Sequence, residues 1–189
     1  CKYCGEVEIV DRTINKQVEI KFYSTMGQNL SPTFTTYLAK FNTLYPNIKV
    51  THDSTIGGYD DVRDKIKTEI TTGAQPNVAY CYPDHVAAYN TAGVVATLDS
   101  YINSKDYVVL PDGTKESIGL SSAQIADFIP GYYSEGQQFG SSKMYTLPFS
   151  KSTEVLYYNA TFFKDNNIPV PTHWWCSEEA CGNCNTSSM

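Results

Sequence analysis

From Val18 to Ala92 the hydrophobic pattern switches repeatedly between a period of two and a helical period, at the spacings of βαβ units. Val18-Glu19-Ile20-Lys21-Phe22-Tyr23 alternates as a half-buried strand does. Ser31-Pro32 then opens a helix, since Ser can answer free N–H groups and Pro suits the first turn. Phe34, Leu38, Phe41 and Leu44/Tyr45 fall on one helical face, and Pro46-Asn47 stops it. Ile48-Lys49-Val50-Thr51 is the next strand. Gly57-Gly58 makes a loop, and Asp60 and Asp61 stand in the first turn of a second helix, where carboxylates complement the helix dipole. Val62, Ile66 and Ile70 mark its buried stripe. Gly73 to Asn77 is turn chemistry, Val78 to Tyr82 a short apolar strand, and Pro83-Asp84 begins a third helix that Gly93 ends. That order predicts a parallel sheet flanked by helices.

The remaining chain is less periodic. Leu98 to Ile102 reads as a short helical or irregular segment, Pro111-Asp112-Gly113 as a turn, and Ser121 to Phe128 as a short capped helix. Met144 to Phe149 and Val155 to Tyr158 read as extended, with polar Ser150-Lys151-Ser152-Thr153 between them. Thr161 to Asn167 is a short helix. The stretch from His173 to Met189 has no clean period.

Composition excludes several classes. The formal net charge is −6 with no basic stripe, which argues against nucleic acid, whose phosphates demand clustered positive charge. No apolar run approaches the length of a bilayer span. Catalytic signatures are also missing: no Gly-x-Ser-x-Gly elbow, no Gly-x-Gly-x-x-Gly, no phosphate-binding P-loop and no His-Glu-x-x-His. The three histidines, His52, His85 and His173, form no evident acid–base set, and no cofactor is expected.

The cysteines leave three readings open. Cys1 is placed where bacterial lipoproteins carry a diacylglycerol anchor, and two acyl chains hold a membrane far better than one. A chain starting at Cys1 rather than Met is expected to have lost something upstream. Cys1-x-x-Cys4 and Cys181-x-x-Cys184 each have metal-pair or redox-pair spacing, though the pairs lie far apart. Disulfides among Cys1, Cys4, Cys176, Cys181 and Cys184 are the third reading. Cys81, in an apolar strand, reads as a small buried hydrophobe.

Four stretches resemble one family. They are Phe41-Asn42 with Tyr45-Pro46-x-Ile48-Lys49-Val50; Gly58-Tyr59-Asp60 with Gly73-x-x-Pro76-x-Val78; Phe128-Ile129-Pro130-Gly131-Tyr132-Tyr133-Ser134; and Leu147-Pro148-Phe149-Ser150-Lys151-Ser152-Thr153-Glu154-Val155-Leu156-Tyr157-Tyr158-Asn159. Phe162-Phe163-Lys164 and Pro171-Thr172-His173-Trp174 follow. From Val18 to Trp174 the chain resembles the family 1 extracellular solute-binding proteins of ABC importers, of the sugar and glycerol-3-phosphate type. The resemblance implies an α/β fold. It implies a periplasmic-binding-protein-like lobe with a mostly parallel sheet flanked by helices, plus the start of a second lobe. The expected division is a tether over 1–17, the first lobe over 18–149, an interlobe crossover and second-lobe start over 150–174, and an atypical Cys-containing tail over 175–189. The rest of the second lobe is expected to be missing, as a truncation or a short form. The implied partners are a small sugar, polyol or glycerol phosphate and a membrane permease. The implied location is the extracellular face of a bacterial membrane, with Cys1 as tether, or the periplasm.

Open α/β sheets bind ligands outside the carboxyl ends of their strands. Those ends are Ser24 to Gln28, Ile56 to Tyr59 and Tyr82 to Asp84, and the crossover would bring Ser152 and Thr153 to the same rim. Ser24, Gln28, Ser152 and Thr153 offer hydroxyls and an amide, and Asp84 can accept from sugar hydroxyls. Tyr59 can stack on a C–H face while hydrogen-bonding through its tip. Backbone N–H groups at the helix starts are expected to suit an anion. By resemblance, Tyr59 and Ser152 match ligand-touching positions. The plainer alternatives are that Ser24 ends a strand, Tyr59 staples a helix entry, Asp84 caps its helix and Ser152 fills a hinge. A fragment with half a cleft and no binding is the competing reading for the whole chain, with a Cys-x-x-Cys metal or redox protein as a further one.

Overall fold

A computed structural model describes residues 8–25, 27, 30–152 and 155–170. The chain divides into two compact units, Cys1–Phe149 and Ser150–Met189.

The first unit is built on three parallel strands. β1 (Val18–Tyr23) is central, with β2 (Ile48–Asp53) on one side and β3 (Val78–Ala79) on the other. The register pairs Val18 with Ile48 and runs through to Tyr23 with Asp53; Phe22 and Tyr23 also pair with Val78 and Ala79. α1 (Ser31–Leu44) connects β1 to β2, and α2 (Tyr59–Ile70) connects β2 to β3. α3 (Pro83–Thr91) leaves β3. The expected βαβ order is therefore the one observed. β3 is shorter than the predicted Val78–Tyr82 run, because the chain leaves the ladder after Ala79.

Successive residues of a strand face opposite ways, and β1 uses both faces. Tyr23 packs with Val62 and Ile66 of α2 and Tyr89 of α3, with Ile56, Ile70, Ala79, Cys81 and Val95 around them. Phe22 faces the other way, against Phe34 of α1 at 5.3 Å between ring centroids, His52 at 5.1 Å and Tyr80 at 5.3 Å. Helices thus cover both faces of the sheet. α1 and α3 also leave neighbouring strands toward opposite faces, so the ends of β1 and β3 flank the crevice where such sheets take ligands.

Later elements are short. α4 (Asp99–Ile102) precedes an antiparallel hairpin of β4 (Tyr107–Val109) and β5 (Lys115–Ser117), which the sequence disclosed only as a turn at Pro111-Asp112-Gly113. Residues 8–17 are tied to that hairpin: Asp11 bridges Tyr107, and Arg12 Nε donates to Asp106 at 2.8 Å. α5 (Ser122–Asp127) is capped by Ser121, whose hydroxyl accepts from Gln124 N, as expected. α6 (Pro130–Ser134) follows. Met144 to Phe149, read as extended, joins no ladder; Met144 is held by its N–H on Asp99 Oδ2 and its carbonyl on Leu98 N.

In the second unit, Val155 to Tyr158 forms no strand pairing among the described residues. α7 (Ala160–Asp165) is capped by Asn159, which accepts from Phe162 N at 3.0 Å. Asn167 takes the left-handed conformation at φ 53° and turns the chain after the helix.

Candidate functional site

The carboxyl edge of the sheet is made by the chain just after β1, β2 and β3. The loop before α2 turns at Gly57, whose φ of 127° favours glycine; a side chain there would also run into Asp61. Asp61 Oδ2 accepts from Gly58 N at 2.8 Å, closing the start of α2 and fixing the first helical residue, Tyr59. Tyr59 stacks on Tyr82, with centroids 4.3 Å apart and ring planes 28° apart. Tyr82 meets His85 edge-on at 5.4 Å and is itself 51% exposed. Two tyrosines from different loops thus form one aromatic platform on this edge. A second stacked pair, Tyr80 on Phe149 at 4.8 Å, lies against Phe22. Burial pushes the Tyr80 hydroxyl up to about 12, and among the described residues it finds no hydrogen-bond partner.

Charged groups surround the platform. Asp60 Oδ1 accepts from Arg63 Nη1 at 2.8 Å and lies 3.5 Å from Nε2 of buried His85. Asp84 Oδ2 is 3.9 Å from the same nitrogen. Arg63 is also held in a two-point pair by Asp64, at 2.8 and 3.2 Å. That pair draws the Asp64 carboxyl below its ordinary range. Asp84 is exposed and makes no side-chain cap on α3, so the capping alternative is not what the fold uses.

Ser24 is placed differently. It is fully buried, and its Oγ lies 2.7 Å from His52 Nε2. Burial holds His52 below its usual pKa, with Asp53 opposing. A serine on an imidazole has the look of an activated nucleophile, but among the described residues no carboxylate bonds the imidazole: Asp53 accepts from the N–H and hydroxyl of Thr55. His52 instead stacks on Phe22 and meets Phe34 at a tilt, the three rings forming one cluster at the end of the sheet. Ser152 is exposed in the second unit. Gln28, Thr153 and Cys1 lie outside the described residues, as do all the other cysteines but Cys81, so the three readings of their chemistry lie there too. Cys81 is a free, partly buried thiol, pushed up to about 11 by burial. No cluster of metal-ligating side chains occurs among the described residues.

Tyr82 was the residue the sequence undersold. Its position directly after an apolar strand and before a helix-opening proline was the available signal. A separate cavity of about 270 Å³ sits at the opposite, amino end of the sheet, lined by Ile14, Leu44, Tyr45, Ile48, Val109 and neighbours, and it contains none of the expected site residues.

An open parallel sheet flanked by helices, with aromatic side chains at its carboxyl edge, defines the class of fold. A family model for bacterial extracellular solute-binding proteins matches residues 27–175, and the chain belongs to that family, one of binding proteins and not of enzymes. Among solved structures, it is similar to the galacto-N-biose/lacto-N-biose I-binding protein of an ABC transporter from Bifidobacterium longum. The two are 22% identical, with a TM-score of 0.50, over 71% of this chain and 29% of that one. It is likewise similar to a structure from a study of xylan utilization by Caldanaerobius polysaccharolyticus, at 22% identity and TM-score 0.54, over 82% of this chain and 34% of that one. A de novo designed cysteine esterase reaches TM-score 0.61 at 17% identity, over 85% of this chain and 34% of that one. At such identities the likeness is one of fold. The chain spans about a third of the length of these structures. A search of curated proteins finds no match.

Proposed function

We infer that this chain captures a small hydroxylated solute outside a bacterial cell, as the binding component of an ABC importer. The solute is a sugar or a polyol, free or phosphorylated, and the receiving partner is a membrane permease. The observation that carries this reading is the Tyr59–Tyr82 platform at the carboxyl edge, flanked by Asp84. Stacked rings offer an apolar face to sugar C–H groups, and a carboxylate accepts from sugar hydroxyls. Gln28, Ser152 and Thr153 complete the proposed set of ligand groups, whereas Ser24, expected among them, is fully buried on His52 and holds the end of β1 instead. In the same proposal residues 18–149 are a first lobe, 150–174 lead into a second, and closure of two lobes traps the solute. An acyl tether on Cys1 would keep the protein at the membrane's outer face.

A thermal-shift screen with glycerol, glycerol 3-phosphate and mono- and oligosaccharides tests it. A solute that binds only the folded chain stabilises it by about 2.7 kcal/mol at a hundredfold excess over Kd. A shift that Tyr59→Ala abolishes supports the reading. A cooperative melt that no solute moves contradicts it and favours a fragment without binding activity.

A further inference from the structure

We propose that the carboxyl edge takes neutral saccharides and rejects their phosphorylated counterparts; the proposal rests on reading that edge as the solute site. Three observations converge on it.

The first is charge. Asp60 and Asp84, with side chains 75% and 78% exposed, stand beside the Tyr59–Tyr82 platform, linked through His85. Arg63 acts on Asp60, Asp64 and Asp84 together, and its guanidinium is already committed to Asp60 and Asp64 at hydrogen-bonding distance. An incoming phosphate would have to displace a carboxylate to reach it, against the repulsion of the others.

The second is the helix starts. An anion site there needs several open N–H groups with no carboxylate beside them. At α1, Ser31 N donates to Gly27 O, Pro32 has no N–H, and Phe34 N donates to Leu30 O. At α3, Pro83 has no N–H and His85 N donates to Tyr82 O. At α2 the first turn already carries Asp60 and Asp61. This arrangement argues against the expectation that these starts suit an anion.

The third is shape. Tyr82 lies open to solvent over half its surface while Tyr59 backs it, which presents a ring face large enough for one pyranose. Exposed carboxylates beside such a face accept from ring hydroxyls. Tyr82 is thus assigned as the stacking residue, with His85 as a positioning residue beneath it.

The test is ligand-observed saturation-transfer NMR on the full chain at low ionic strength. The probes are matched: maltose, lactose, xylobiose and glucose against glucose 6-phosphate, galactose 6-phosphate and glycerol 3-phosphate. At least one neutral saccharide is expected to bind tenfold or more tightly than every phosphate. Tyr82→Ala should weaken that saccharide about tenfold while the melt stays cooperative, and Tyr82→Trp should restore it. Asp60→Asn with Asp84→Asn should narrow the gap to the phosphates severalfold, as should high salt. A phosphate bound more tightly than any neutral saccharide overturns the selectivity and leaves the solute-binding reading standing. Binding of neutral saccharides indifferent to Tyr82→Ala and Tyr82→Trp overturns the assignment of the platform. No binding by any probe overturns the solute-binding reading itself.

Discussion

Two residues at the edge of the sheet carry consequences that can be measured singly. Gly57 takes a backbone conformation that side chains rarely adopt, and its space is occupied by the carboxylate that closes α2. Gly57→Ala should cost about 1–3 kcal/mol, read as a lower urea midpoint with unchanged slope. His52 is the second. Its folded pKa lies below the ordinary 6.5 because burial disfavours its charged form, outweighing Asp53. Above the unfolded value both states are neutral at this site. As pH falls through 6.5 toward the folded value, the unfolded chain takes up the proton first, and stability is lost. The melting temperature should therefore drop as pH falls below about 6.5 in the parent chain and drop less in His52→Gln. Carboxylates with lowered pKa, such as Asp53 and Asp106, add their own loss at more acidic pH.

At the level of elements, α2 is the piece on which both core and site depend. Its inner face inserts fully buried Val62 beside Ile66, and its first turn presents Tyr59 and Asp60. Val62→Ala removes two buried methyl groups and should cost about 2 kcal/mol, whereas Asp61→Ala loses the closure of the helix start and should cost about 1 kcal/mol. Denaturant melts of both variants check the ranking. α2 was plain in the sequence because its stripe, its acidic first turn and its Gly-Gly entry agree. β1 and β2 were legible from their alternation, and α1 and α3 from the prolines that open them and the turn residues that end them. β5 was not: Lys115-Glu116-Ser117 is exposed on every residue and carries no alternation to read. Nor could sequence show that Ser24 meets His52. They lie 28 residues apart and are joined only because β1 and β2 pair in the register that sets Phe22 beside His52. Tyr59 enters the proposed site from resemblance. Tyr82 was not, because its role depends on the geometry of two loops and not on a local pattern.

For the whole molecule, a parallel sheet covered on both faces gives the first unit a core of its own, whereas none of the described residues of the second unit is buried. Val155, Leu156 and Tyr157 are exposed, Tyr157 at 91%, in a segment without strand pairing. Unpaired backbone next to exposed apolar side chains invites association between copies. Sedimentation velocity should show the sedimentation coefficient rising with concentration, and Leu156→Ser with Tyr157→Ser should suppress the rise. The central claim concerns the other unit, where two ends of one sheet compete as binding places: an aromatic carboxyl edge and an apolar cavity at the amino end. Amide chemical-shift mapping by two-dimensional NMR during a saccharide titration separates them. Perturbations gathered at Gly57 to Asp60 and Tyr80 to His85 are the predicted result. Perturbations confined to Ile14, Leu44 to Ile48 and Val108 to Leu110, or none at saturating saccharide, would contradict it.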